Sequence, residues 1–250
     1  MSKIHVVSPG RNPSRAVQNC VESIQRQTLL PDSHTIIDDI SDDDTPNVLK
    51  EINKQNITNL KIVHNTERKY RLKNIYDHSI NNDSEDIICL VDCDDWIATK
   101  DTLFTIREAY QSNSKLEYVY TNFRTAQDPT RTPGLSRVIP SQDWIPYKED
   151  WITSHMCTFK VKALERIPIA NFLDWNGNWF RMGTDHALAM PLLTCLKKKY
   201  KDYSAVKHID KMHYVYNCVN FGLSKTGYDP KADEANNCAT FIRQRGYIEH

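Results

Sequence analysis

The chain has 250 residues, enough for one large domain or two small ones with a substantial core, so peptide-sized classes are excluded. Its 32 Lys and Arg balance 32 Asp and Glu, and zero net charge offers no global electrostatic case for a nucleic-acid or membrane partner. At 40% hydrophobic and 26% charged the composition is that of a globular protein, and the longest apolar run, Ile87-Ile88-Cys89-Leu90-Val91, is too short to span a bilayer. The first residues lead straight into a strand-like run without a leader pattern. The seven cysteines (Cys20, Cys89, Cys93, Cys157, Cys195, Cys218 and Cys238) are scattered and contain no CxxC pair, so they read as reduced thiols in a cytoplasmic chain rather than as a disulfide framework or a zinc site.

In chain order, Ile4 to Ser8 reads as a strand broken by Pro9-Gly10-Arg11-Asn12-Pro13. A helix is expected from Ser14 to about Gln27, with Ala16, Val17, Cys20, Val21 and Ile24 at helical spacing. His34 to Ile37 is a second strand, followed by an acidic run from Asp38 to Asp44 and by Thr45-Pro46, which opens a helix through Val48, Leu49 and Ile52. Leu60 to Val63 is a third strand, Tyr70 to Ile80 a helix, and Ile87 to Val91 a fully buried central strand ending at Asp92-Cys93-Asp94-Asp95. A helix from Leu103 to Tyr110 and a strand from Tyr118 to Tyr120 follow. This alternation predicts an α/β fold with a mostly parallel, Rossmann-like sheet.

Residues 1–123 thus read as a nucleotide-binding half and 124–250 as an acceptor-side half of one domain. The second half opens on a long irregular loop, 124–150, with Pro129, Pro133, Pro140 and Pro146, of the kind that forms lids. A strand around Met156 to Phe159, a loop from Asn171 to Gly183, a helix from Asp185 to about Lys199 that Pro191 could bend, and a helical tail from Ala232 to Ile242 complete the reading.

Two acidic clusters follow two parallel strands, where ligands bind in open α/β sheets, so both are expected in one crevice. The run Asp38 to Asp44 taken alone is most simply a solvated turn capping the next helix. Asp92, Asp94 and Asp95 are different, because three carboxylates at the end of an apolar strand repel one another and suit a hard divalent cation. Between the clusters, Arg68, Lys69, Arg71 and Lys73 suit a phosphate-bearing ligand.

These residues carry a resemblance to GT-A fold glycosyltransferases of the large family 2. Pro9 and Asn12 resemble the family's strand-Pro-x-x-Asn start, Gln27-Thr28 its helix end, and Ile37-Asp38-Asp39-Ile40-Ser41 its donor-base motif. Lys73-Asn74 resembles its R-N helix and Leu90-Val91-Asp92-Cys93-Asp94-Asp95 its metal signature. His155 to Lys160 is similar to an H-x-x-T-F-[KR] segment, and Asp185 sits in the family's E-D position with Thr184 in place of the Glu. The resemblance spans about residues 3 to 220.

The resemblance implies an inverting transfer from a nucleoside-diphosphate sugar, a UDP-sugar first, to the hydroxyl of a glycan or small compound. It implies Mn²⁺ or Mg²⁺ held by Asp94 with Asp92, and donor contacts from Pro9, Asp39, Arg68, Arg71, Lys73 and Asp92. It also implies Asp185 as the base and His155 and Trp179 on the acceptor side. Asp185 also reads as an ordinary carboxylate at a helix start, and His155 as a structural histidine. His208 and His213 are weaker metal-ligand candidates. Trp144, Trp151, Trp175, Trp179 and Phe180 lie in or near irregular segments, where they either stack on sugars or pack beneath a lid. The basic run Lys197-Lys198-Lys199-Tyr200-Lys201 is either a solvated helix end or, with those aromatics, a surface for DNA carrying hydroxymethylated bases. A catalytically inert nucleotide-sugar-binding module is the alternative outside enzymes.

Overall fold

A computed structural model describes residues 2–127, 136–217 and 230–249; Pro129, Pro133 and Cys218 lie outside them. The first half runs β1 (Ile4–Gly10), α1 (Val17–Gln25), β2 (Ser33–Asp38), α2 (Thr45–Asn53), β3 (Leu60–His64), α3 (Tyr70–Ser79), β4 (Ile87–Leu90), β5 (Trp96–Ile97), α4 (Thr102–Ser112) and β6 (Tyr118–Thr125). Then come β7 (Cys157–Lys160), α5 (Val161–Glu165), a 3-10 turn (Ile169–Phe172), α6 (Thr184–Tyr200), β8 (Val206–Tyr216) and α7 (Pro230–Arg245). One sheet of order β3-β2-β1-β4-β7-β6-β8-β5 crosses both halves. β3, β2, β1 and β4 are parallel, β7 runs antiparallel between β4 and β6, and β8 is parallel to β6.

Strand alternation divides the core between the two faces of this sheet. Ile4 and Val6 of β1, with Ile87 and Cys89 of β4, pack on the α1 and α4 side, where Val17, Cys20, Ile24, Leu103 and Ile106 meet them. Val7, Ile88 and Leu90 face the other way, against Leu72 and Ile75 of α3 and Leu188, Leu192 and Leu196 of α6. No helix of the described residues is long and apolar enough to cross a membrane.

Several boundaries differ from expectation for local reasons. The first helix begins at Val17 rather than Ser14, because Pro13 O accepts from both Ala16 N (2.8 Å) and Val17 N (2.9 Å) and turns the chain first. It stops before Gln27, whose side chain instead donates to Thr99 O (2.8 Å) and accepts from Leu103 N (3.1 Å), stitching the end of α1 to the start of α4. The described part of the long loop is not an open lid: Trp144, Tyr147 and Ile152 are buried in the core, and Arg137 N donates to Ile152 O at 3.1 Å. The helix expected from Asp185 runs unbroken through Pro191. Among the described residues six cysteines are free thiols, five of them buried.

Glu117, immediately before β6, is fully buried, yet it is met by Arg166 after α5 and by Lys199 Nζ (2.9 Å) and Tyr200 Oη (2.5 Å) at the end of α6. Burial pushes its carboxyl up, but these donors prevail and hold it below the ordinary value of 4.5. Its stabilisation is therefore present above that value and is lost as pH falls through the lower folded-state one. Glu117→Gln is expected to lower unfolding free energy near pH 7 by about 1.5–3 kcal/mol, the range for bonds to a charged group. It should also shallow the acid limb. Denaturant unfolding from pH 7 down to pH 3 measures both, and an unchanged stability curve would contradict the clamp.

Candidate active site

The order β2-β1-β4 sets the ends of the two acidic strands on either side of the end of β1. Gly10 O accepts from Asp39 N (2.9 Å) on one side, and Pro9 O accepts from Cys93 N (3.2 Å) on the other. Gly10 has no room for a side chain, since an added Cβ would sit 2.5 Å from the Cys93 Cβ. The two acidic clusters therefore lie on either side of the buried Pro9 at the carboxyl edge of the sheet, the crevice of the candidate site.

The acidic run divides into separate tasks. Asp42 pairs with Arg11 (2.6 Å) and exchanges bonds with Asn12, Asp43 accepts from Thr45 N (2.9 Å), and Asp38 accepts from Ser41 N (3.0 Å) and contacts His64. These are the turn-forming roles of a solvated Asx-rich segment. Asp39 is different. It is buried and accepts from Asn65 Nδ2 (2.8 Å), Lys69 N (2.9 Å), Tyr70 N (2.9 Å) and Arg68 Nε (3.1 Å). Burial raises its pKa, but these donors outweigh burial and bring it below the ordinary value. The carboxylate thus organises the 65–70 turn, including Tyr70 at φ +61°, a conformation that costs a residue with a side chain about 1 kcal/mol or more.

At the other cluster, Arg71 on α3 joins the two halves of the chain. Its Nε donates to Asp92 (2.7 Å), and its Nη1 meets Asp185 (2.9 Å) and the Thr184 hydroxyl (3.1 Å) at the start of α6. Thr184 thus uses a neutral acceptor where the family motif has a Glu. Burial works against the guanidinium charge, but Asp92 and Asp185 prevail and push the Arg71 pKa up. For Asp185, burial raises and Arg71, His155 and His186 lower; the result is a carboxyl below its usual range. Its side chain is still 41% exposed, so it faces the crevice while paired. Gly183 makes this placement possible: it caps α6 at φ +64°, and its missing side chain admits α7, with Cys238 Cβ 3.0 Å from where a Cβ would stand.

Asp95 points elsewhere. It is buried, accepts from Tyr214 Oη (2.6 Å) and Asn217 N (2.7 Å), and is pushed up by burial and by Asp94 and Asp92. It ties the cluster to β8. Asp92 and Asp94 are half-buried beside it. Among the described residues, no three metal-ligating side chains converge into a cage. One or two carboxylates completed by substrate phosphates is nevertheless a common arrangement for Mg²⁺-like ions, and the all-oxygen set of Asp94 and Asp92 fits it.

The remaining candidates are less uniformly placed. His155 stacks on Tyr214 (4.8 Å between centroids) and Tyr216 (5.3 Å), near enough to Asp185 to lower its pKa. Lys73 pairs with Asp77 and lies 5.1 Å over the Trp179 ring. Trp179 itself is packed against Phe172 and Tyr76, so its faces are largely committed to the fold. His213 bonds to the Thr102 hydroxyl (2.9 Å) and His208 to Asn122 (3.1 Å), away from the carboxylates. The basic run is engaged within the protein: Lys197 donates to Trp144 O (2.9 Å), Lys198 pairs with Glu249 and Lys199 with Glu117. Tyr214 and Asn65 were not singled out from sequence. For Tyr214 a signal existed, since strand alternation sets it on the face opposite His213.

The sequence matches the family model described as "Glycosyl transferase family 2" over residues 6–168. Comparison with curated proteins gives no match. Among solved structures the chain is similar to S. aureus TarS 1-349 in complex with UDP-GlcNAc (TM-score 0.58, 17% identity, 86% of this chain and 58% of that one). It is also similar to the Pyrobaculum calidifontis mannosyltransferase PcManGT in complex with GDP-Man and Mn²⁺ (TM-score 0.61, 16% identity, 96% and 62%). A third is glucosyl-3-phosphoglycerate synthase from Mycobacterium tuberculosis in complex with Mn²⁺, UDP and glucosyl-3-phosphoglycerate (TM-score 0.61, 12% identity, 96% and 77%). The chain spans less than two thirds of the length of the first two, and at these identities the likeness shows the GT-A fold.

Asp39→Asn tests the turn directly. An amide side chain offers one acceptor oxygen where the carboxylate serves four donors. The backbone amides of Lys69 and Tyr70 are expected to exchange with solvent roughly tenfold faster or more, the change that follows losing about 1.4 kcal/mol of local protection. Hydrogen exchange read by NMR checks this, and unchanged protection at both amides would contradict the role given to Asp39.

Proposed function

Glycosyl transferase family 2 is the family to which this chain belongs, and we propose that the chain moves a sugar from a nucleoside-diphosphate sugar to an acceptor hydroxyl with inversion at the anomeric carbon. The observation that carries this reading is the meeting of Asp92 and Asp185 on Arg71, beside Asp94, at the carboxyl ends of β1, β2 and β4. An open α/β sheet binds ligands at that edge. Donors in the similar structures include UDP-GlcNAc and GDP-Man, so both bases are to be tested.

Asp94, with Asp92, is the set that would hold a divalent cation, which when bound supplies charge stabilisation to the departing diphosphate. The chain's own groups do the rest. The turn organised by Asp39 and Arg68 receives the base, with Pro9 between the two acidic clusters. Arg71 orients Asp92 and Asp185 and offers positive charge where negative charge develops. Asp185 takes the proton of the attacking hydroxyl; its depressed pKa keeps it ionised at neutral pH, the state a base requires. His155, held by Tyr214 and Tyr216, stands on the acceptor side of this base. The acceptor is a glycan or a small hydroxyl compound. DNA loses its supporting argument, because three lysines of the basic run are spent on Trp144, Glu249 and Glu117.

Release of nucleoside diphosphate from UDP-GlcNAc or GDP-Man in Mn²⁺, with and without EDTA, tests the reading. Activity is expected in Mn²⁺ alone and is expected to vanish in Asp94→Ala. Asp185→Asn is expected to keep donor affinity and lose about 10²–10⁴-fold in turnover, the contribution of a positioned base. Wild-type turnover in a stable Asp185→Asn protein would remove Asp185 from the mechanism. A wild-type chain that binds donor and never releases diphosphate would be an inert sugar-nucleotide-binding module.

A further inference from the structure

Between the start of α3 and the loop preceding α6 lies a cleft of about 300 Å³ whose charge is opposite to that of the carboxylate cluster. Arg68, Lys69, Lys73 and Arg181 line it, with Glu67 as the one carboxylate in its lining. Two guanidiniums share a single ring there: the Arg68 guanidinium carbon is 4.5 Å from the centre of Tyr70 and that of Arg181 is 4.9 Å. Arg68 is anchored through Nε on buried Asp39, and Lys69 and Lys73 divide one carboxylate, Asp77. Arg181 is exposed and has no carboxylate partner among the described residues.

Like charges gathered on one ring repel, and the ring faces attract each of them only modestly at an exposed site. An oxyanion bound in the cleft would offset this excess of positive charge and accept paired hydrogen bonds from a guanidinium fork. The backbone holds this arrangement deliberately, since Tyr70 is kept at φ +61° by the Asp39 carboxylate that also anchors Arg68. The cleft also adjoins the reaction centre. Tyr70 precedes Arg71, and Arg181 lies one helix-capping turn before Asp185. The crevice at Asp92, Asp94 and Asp185 repels a bare anion, whereas this cleft attracts one.

We propose that this cleft binds an oxyanion carried by the acceptor, so that the acceptor class is a phosphorylated or acidic sugar or polyol rather than a neutral glycan. Only the word acceptor rests on the transferase reading; the anion site stands on the cleft itself.

Glucose-6-phosphate, glucuronate and glucose present one ring with a phosphate, a carboxylate or neither. Each is titrated into the protein in EDTA, without donor, while the arginine Nε–Hε signals are followed by NMR. Glucose-6-phosphate or glucuronate is expected to shift the Arg68 and Arg181 signals, and glucose to leave them in place. The stronger of the two anions identifies the group recognised. Arg181→Gln, at an exposed position, is expected to weaken the anion roughly tenfold or more and to leave UDP affinity in Mn²⁺ unchanged. Equal response to glucose and to both anions would overturn the proposal. So would an Arg181→Gln protein with the wild-type spectrum elsewhere that loses UDP and anion alike, because the cations would then serve the donor. If the anion binds but no donor is ever turned over, the transferase reading fails and the anion site remains.

Discussion

The site depends on one guanidinium. Arg71 sits on α3, between a carboxylate that follows β4 and another that begins α6, and its positive charge pairs with both. Without it, Asp92 and Asp94 on one piece of chain and Asp185 on another would be neighbouring anions with no reason to approach. An arginine suits this task better than a lysine. Its planar fork reaches Asp92 through Nε and Asp185 and Thr184 through Nη1 at the same time, whereas an ammonium offers a point charge.

Other contacts bring the partners of Arg71 within reach. Gly10 and Gly183 give up side chains so that β1 can approach the 92–95 turn and α7 can approach the start of α6. Asp95 is turned away from the crevice onto Tyr214 and the amide of Asn217, which anchors the metal motif to β8. Asp39 does the corresponding work at the opposite edge, where its four bonds shape the turn that leads into α3 and so aim Arg71. A carboxylate that looks like a ligand contact in the motif is therefore also a scaffold: the same group that is proposed to receive the base holds up the turn beside it.

Much of the first half was legible in the sequence, because β1 and β4 are short apolar runs buried on both faces and its helices carry one apolar stripe. The second half was less so, for identifiable reasons. β8 is only partly buried along most of its length, with a buried stretch at His213–Val215 near its end, and gives no clean alternation. α6 is buried nearly all round and shows no distinct stripe, yet its span was read closely, from Asp185 to about Lys199 against Thr184–Tyr200. The segment holding Trp144, Tyr147 and Ile152 has no local periodicity, yet it packs into the core through contacts with distant elements. At the site, motif order places Asp39, Asp92 and Asp185 on the correct strand and helix ends. The bridge itself was hidden: Arg71 is 113 residues from Thr184, and only the folded sheet order shows that they meet. The DNA reading of the lysine run lost its support through contacts hidden in the same way, since its partners Trp144, Glu117 and Glu249 are all remote in sequence.

A double-mutant cycle between Arg71→Met and Asp92→Asn, read as unfolding free energy in metal-free buffer, tests the central claim most directly. If Arg71 holds the cluster together, the two substitutions are coupled, and their effects depart from additivity by about 1 kcal/mol or more. Effects that add to within roughly 0.5 kcal/mol would show the two residues to be independent and would contradict the account.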